Sequence, residues 1–118
     1  MINIGSYIYS NIGDLVDTHC YPLVAEQSTN YPFIIYRTTT TNDTSKDGIY
    51  EWQHTVDITV CDEEYDSCCS IVENVVNRLY AMEDTDEIIE VAIDSITEDF
   101  IENAYVKIIS ARLYSLHK

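Results

Sequence analysis

The chain has 118 residues, of which 46% are hydrophobic, and it contains only 3 glycines and 2 prolines. This composition excludes a disordered tail, and the length predicts one domain, residues 1–118, with a hydrophobic core. Asp and Glu total 21 against 6 Lys and Arg, a formal net charge of −15, which disfavours reading or condensing nucleic acid because phosphate is repelled.

The first predicted element is an amphipathic helix over residues 2–16, because its apolar residues recur at spacings of three and four. Asn3 or Ser6 is expected to cap its start, and Gly13 to weaken its second half. A turn follows at 17–19. Residues 21–25 are predicted to be extended, since Pro22 disfavours helix at Tyr21.

Two strands follow, separated by a polar stretch. Pro32 opens the first, over residues 33–40, which is rich in β-branched and aromatic residues. The second, over residues 50–60, alternates apolar and polar residues, so one face is expected to be buried. His54 lies on the apolar face and is interpreted as a hydrogen-bonded core or interface histidine. The stretch between the strands has no apolar residue and ends in Asp-Gly, which predicts a loop comprising Thr41, Asn42, Asp43, Thr44, Ser45, Lys46, Asp47 and Gly48.

A second helix is predicted to begin at Asp62 as N-cap, with Glu63 and Glu64 favoured by the helix dipole. Its apolar stripe includes Cys68 and Cys69, which are therefore interpreted as small core residues. No secretory signal precedes the four cysteines, so free thiols are expected, with Cys68 or Cys69 buried. Their spacing does not match a zinc site.

An acidic turn at 83–87 leads to a strand over 88–97, an acidic connection over 97–103, and a last strand over 105–116. The last strand is apolar on both faces, which predicts a central position or contact with another subunit. The predicted order is α-β-β-β-α-β-β. This is an α+β fold in which two helices pack on an antiparallel sheet of four or five strands.

The sequence contains none of the common catalytic or phosphate-binding motifs, and its three histidines are scattered. We therefore expect no enzyme activity, no catalytic residues, no metal and no cofactor. No apolar run approaches the ~20 residues of a membrane span, so no membrane partner is expected.

The order and punctuation of these segments resemble the tail-completion, or tail-terminator, proteins of long-tailed bacteriophages. The resemblance covers nearly the whole chain. It rests on the first helix, the Tyr-Pro-Leu-Val segment at 21–24, the Tyr-Pro-Phe-Ile-Ile-Tyr segment at 31–36, the strand leading into an acidic helix, and the closing strand.

This resemblance implies a ring, typically a hexamer, at the junction of tail and neck of a virion assembled in the bacterial cytoplasm. Such a ring ends tube polymerisation and contacts the tail-tube protein and a head-neck connector protein. DNA passes through it without specific binding. Two alternatives are another phage neck or tail-tube subunit, and a small acidic inhibitor that mimics DNA and binds a basic partner.

Two sets of residues are candidates for these roles. The loop 41–48 is expected to contact a neighbouring subunit or the tube end, although it could be only a mobile hairpin tip. Part of the acid-rich stretch 83–102 is expected to face the ring lumen or its rim, the alternative being plain solvent exposure. The acidic candidates are Glu83, Asp84, Asp86, Glu87, Glu98, Asp99 and Glu102.

Overall fold

A computed structural model describes residues 3–25, 30–44, 50–83, 85 and 88–116. The predicted α+β class and element order are confirmed. The elements are α1 (Ile4–Ile12) with a 3₁₀ turn (Gly13–Val16), β1 (Cys20–Pro22), β2 (Phe33–Thr44), β3 (Tyr50–Asp62), α2 (Tyr65–Ala81), β4 (Glu90–Ile101) and β5 (Ala104–Leu116).

The five strands form one sheet in the order β1-β2-β3-β5-β4. The last four are mutually antiparallel, but β1 runs parallel to β2. The prediction of a purely antiparallel sheet was wrong at this strand. The stretch of sequence between Pro22 and Phe33 is longer than a hairpin turn, which allows β1 and β2 to run in the same direction.

Helix α1 begins and ends where its sequence favours it. The Asn3 side chain accepts a hydrogen bond from the Ser6 amide at 3.2 Å, which satisfies one of the free donors at the N-terminus. At Gly13 the α-helix gives way to the 3₁₀ turn, as the predicted weakening suggested. The buried face carries Ile4, Ile8 and Ile12.

Helix α2 begins later than predicted. Asp62 is the last residue of β3, paired with Tyr105 of β5, and the N-cap position belongs to Glu64, which makes no side-chain capping bond. Strand pairing thus extends through the residue that the sequence offered as a cap. Asp62 still turns the chain, because its Oδ1 accepts from the Glu64 amide at 3.2 Å.

Both helices lie on one face of the sheet, and the core fills the space between them. Strand β3 buries alternate residues, as its pattern predicted, and the buried residues of β5 and α2 pack against them. None of the described helices is long and apolar enough to cross a membrane. Prominent fully buried side chains are Ile8, Ile12, Ile34, Val56, Ile58, Leu79, Ile109 and Leu113.

Two predicted connections are partly strand. Strand β2 continues to Thr44, so the predicted loop loses Thr41, Asn42, Asp43 and Thr44, which pair with β3; Ser45, Lys46, Asp47 and Gly48 lie outside the described residues. Strand β4 continues to Ile101, so only Glu102 and Asn103 form a turn before β5. The sequence pattern did not indicate either strand end, because backbone pairing does not require an apolar face and polar residues occur at both ends.

Candidate assembly interface

The buried polar groups serve the fold. His54 is fully buried, its Nδ1 lies 2.9 Å from Thr40 Oγ1, and its Nε2 lies 2.9 Å from Ser115 Oγ. Burial lowers the pKa of His54, which favours the neutral ring. This confirms the interpretation of a hydrogen-bonded core histidine. Among the described residues no three His, Cys, Asp or Glu side chains are grouped to hold a metal.

The four cysteines are free, and three of them are buried. Burial raises the pKa of Cys20 to about 12 and that of Cys61 to about 11, and it also raises the pKa of Cys68. Cys68 is buried on α2, as predicted, whereas Cys69 is half-buried. Since the thiolate is the reactive form, these settings disfavour nucleophilic chemistry at neutral pH.

The first surface suited to assembly is the outer edge of β4, the last strand of the sheet. This strand has 12 residues, and the apolar side chains in its second half are exposed to solvent. Ile96 is 46% exposed, Phe100 55% and Ile101 51%. A long edge with exposed apolar residues is a template for pairing with another chain.

Aromatic rings surround a cavity of about 250 Å³ near the end of β4. The Tyr105 ring lies 5.2 Å from that of Tyr65 and 4.9 Å from that of Phe100, between centroids. Lys107 Nζ lies 3.1 Å from Glu98 Oε2 and 5.3 Å from the Tyr65 ring centroid, and the Tyr65 hydroxyl donates to Glu98 at 2.9 Å. The Lys107 bond holds the pKa of Glu98 below its usual range.

The second surface is the opposite edge of the sheet. Strand β1 pairs only with residues 34–36 of β2, so the edge of β2 over residues 37–44 lies beyond it. A groove of about 670 Å³ runs beside this edge; its lining includes Gly5, Pro22, Leu23, Tyr36 and Thr38. Leu23 is 61% exposed and has a φ of 68°, so it projects at the end of β1.

The acidic candidates that the structure describes do not form one cluster. Glu83 Oε2 accepts from the Val91 amide at 3.1 Å, near the start of β4. Glu98, Asp99 and Glu102 lie at the other end of the strand, where Asp99 Oδ1 accepts from the Phe100 amide at 2.8 Å. Asp84, Asp86 and Glu87 lie outside the described residues. Which of these acids form ion pairs, as Glu98 does, could not be predicted before the strand pairing was known.

Basic residues are few, and three of the four Lys and Arg residues that the structure describes are in ion pairs. Arg78 binds Asp14 at 2.9 Å, Lys107 binds Glu98 at 3.1 Å, and Arg112 binds Asp94 at 2.9 Å. Arg37 is exposed and forms no ion pair within the described part of the chain. Asp57 is its cross-strand partner in β3 but accepts a hydrogen bond from Ser110 at 2.8 Å instead. Arg37 is thus a cation available to another molecule, which the sequence alone did not single out.

The fold of this chain is similar to that of a chain in a solved virion structure. A chain of the solved structure described as "Virion of native gene transfer agent (GTA) particle" superposes with a TM-score of 0.75. The match covers 93% of this chain and 92% of that chain. The two chains share a fold. Their sequences are 11% identical. No protein-family model and no curated protein matches this sequence.

Proposed function

We propose that this chain is a structural protein of a phage or phage-like virion, and that it forms a ring on the head-proximal end of the tail tube. The ring ends tube polymerisation and joins the tail to the head. The observation that carries the proposal is the end-to-end fold match with a virion chain. The resemblance of the sequence to tail-terminator proteins supports the more specific role.

Two sheet edges to which no described strand is paired support a ring. They lie on opposite sides of the subunit, at β4 and at the uncovered part of β2. Contact between two different surfaces of identical subunits is head-to-tail, and such contacts form a closed ring when the rotation between copies allows it. The proposed partners are therefore further copies of this chain. The resemblance to tail-terminator proteins implies six copies in all, together with the tube protein and a neck connector.

The charge of −15 supports a conduit for DNA. An acidic bore repels phosphate, whereas a basic bore would retain DNA through counterion release. The described candidates for the bore or its rim are Glu83, Glu98, Asp99 and Glu102. DNA then passes without specific binding. The predicted loop 41–48, of which residues 45–48 lie outside the described residues, remains the proposed contact with a neighbouring subunit or the tube end.

A structural role is also favoured over catalysis by the settings of the reactive groups. The buried His54 has two hydroxyl partners and a lowered pKa, and the buried thiols have raised pKa values. None of these groups combines a nucleophile with a base and an open cleft, which a covalent mechanism requires.

The test is deletion of the gene from its phage or phage-like element, followed by electron microscopy of the particles. A terminator deletion should give tails of abnormal length that do not join heads, and a plasmid copy should restore both. Loss of all tubes would indicate a tube subunit instead, and unjoined tails of normal length a neck protein. Normal particles with normal infectivity would overturn the structural assignment.

A further inference from the structure

Resting on the proposed ring, we propose that neighbouring copies join by strand addition. Strand β4 of one copy adds to the uncovered edge of β2, residues 37–44, in the next copy. The occupant of each edge is thus a second copy of this chain, and the sheets of all copies become continuous around the ring. Topology, backbone hydrogen bonding, packing and charge determine the direction and register of this joint.

Strand direction follows from the topology. The steps from β2 to β3, β3 to β5 and β5 to β4 are each antiparallel, so β4 runs opposite to β2 within a subunit. Copies in a head-to-tail ring have the same strand direction where their sheets join. Strand β4 therefore meets the β2 edge of the next copy as an antiparallel pair, with the helix-bearing faces on the same side.

The backbone groups that β2 offers follow from its contact with β1. The Ile34 amide donates to His19 O at 2.8 Å, and Tyr36 O accepts from the Leu23 amide at 2.9 Å. Even-numbered residues therefore point their N–H and C=O groups away from β3. By the alternation of a strand, Thr38, Thr40 and Asn42 point the same way, beyond the end of β1.

Strand β4 presents the matching set. Glu102 and Asn103 have φ values of 51° and 65°, as in the two-residue turns of hairpins, so the flanking pair Ile101–Ala104 is hydrogen-bonded. The backbone N–H and C=O groups of the even-numbered residues before the turn then point away from β5. The Phe100 amide is consistent with this direction, because it donates to the carboxylate of Asp99 rather than to a group of β5. Ile96, Glu98 and Phe100 are thus the outward residues.

Strand β1 limits the register. It occupies the edge of β2 as far as Tyr36, so an added strand must stop at its end. This requirement places Phe100 opposite Thr38, and hence Asp99 opposite Thr39 and Ile96 opposite Asn42. The exposed Phe100 then enters the groove beside Pro22 and Thr38, and the exposed Ile101 abuts the exposed Leu23. The joint buries apolar side chains that a lone subunit leaves in water.

Charge selects this joint over pairing of β4 with itself. Strand β4 carries four acids and no Lys or Arg, so two copies of β4 would place carboxylates opposite one another. Strand β2 instead offers Arg37, diagonal to Asp99 at the proposed register and within reach of a long side chain. When Arg37 binds Asp99, the Phe100 amide is released to pair with Thr38. Asp99 thus protects the edge in a free subunit and contributes to the joint in the ring.

Disulfide trapping tests the joint. In the double variant Thr39→Cys with Asp99→Cys, the two positions form a non-hydrogen-bonded pair with Cα atoms about 4.5 Å apart, which suits a disulfide. Oxidation should yield covalent oligomers up to the full ring, dissociated by reductant. The matched control, Thr41→Cys with Asp99→Cys, is offset by two residues to about 7–8 Å and should link poorly. The two single variants control for the native cysteines.

Each outcome decides the proposal. Disulfide bonds between the introduced cysteines of the first pair support the proposal. More disulfide formation in the offset control than in the first pair, or none in either variant, overturns it. Circular dichroism verifies that each variant is folded. Native mass spectrometry gives a second measurement. The Arg37→Glu variant should no longer form the ring, and the double variant Arg37→Glu with Asp99→Arg should form it again. A ring that persists in the single variant, or that does not return in the double variant, also overturns the joint. Rings that persist with neither effect leave the proposed function standing with a different joint, whereas the gene deletion tests that function separately.

Discussion

The imidazole of His54 reaches the hydroxyl of Ser115 at 2.9 Å, from β3 to the neighbouring strand β5. Its other nitrogen lies 2.9 Å from Thr40 Oγ1 on β2, so one buried ring connects three adjacent strands. The network lies near the end of the sheet that carries the open edge of β2. It therefore holds this edge in place where a partner strand would add.

Stability should depend on pH through His54. Burial lowers the folded-state pKa below the usual value of 6.5, so the unfolded chain binds the proton more readily. The contribution of His54 to the free energy of unfolding is therefore complete above pH 6.5, and it decreases as the pH falls toward the folded-state pKa. Urea unfolding of His54→Gln, which cannot titrate, should show less of this decrease than the wild type. Parallel pH curves for the two proteins would contradict this role.

Core and edge residues of one cross-strand pair should respond differently to truncation. Ile109 is fully buried, while its partner Ile96 is 46% exposed. Ile109→Ala should lower the free energy of unfolding by about 2–5 kcal/mol because it leaves a cavity. Ile96→Ala should cost less than about 1 kcal/mol in the free subunit but weaken ring formation. Denaturant titration and light scattering measure the two effects, and equal stability losses would argue against this packing.

Thiol reactivity should separate Cys69 from the other cysteines. Cys20, Cys61 and Cys68 are buried, with raised pKa values, whereas Cys69 is half-buried. A thiol reagent at neutral pH should label Cys69 first in the folded protein. In denaturant without reductant it should label all four cysteines. Elemental analysis should find no zinc. A Cys69→Ser variant serves as control and should lose the fast phase. Fewer than four thiols in denaturant would refute the expectation of free cysteines.

The sequence predicted those parts of the fold in which side chains report burial. Alternation along β3 located its buried face, and the spacing in α2 placed Cys68 in the core. The ends of β2 and β4 were missed because their residues are polar or exposed, so strand pairing leaves no hydrophobic pattern there. The parallel placement of β1 was missed because three residues carry too little pattern to indicate direction.

The candidate interface was predicted only in outline. Sheet edges are expected to carry assembly contacts in any sheet protein, but which edges are open depends on strand order. The lone charge of Arg37 became apparent only when the other described cations were found in ion pairs. The predicted lumen residues Glu98 and Asp99 lie beside the proposed joint, so their part in the bore would be at its rim.

Two neighbouring proline substitutions on β2 should separate assembly from folding. The Asn42 amide points away from β3, so Asn42→Pro removes a donor that the free subunit does not use, and proline is tolerated at such edge positions. It should leave the unfolding midpoint nearly unchanged while abolishing the ring, because the pairing with Ile96 is lost. The Thr41 amide points toward β3, opposite Gln53, so Thr41→Pro breaks the internal ladder and should cost about 1–3 kcal/mol of stability. Thermal unfolding and native mass spectrometry measure both effects. An Asn42→Pro protein that still forms rings would show that this edge does not carry the joint.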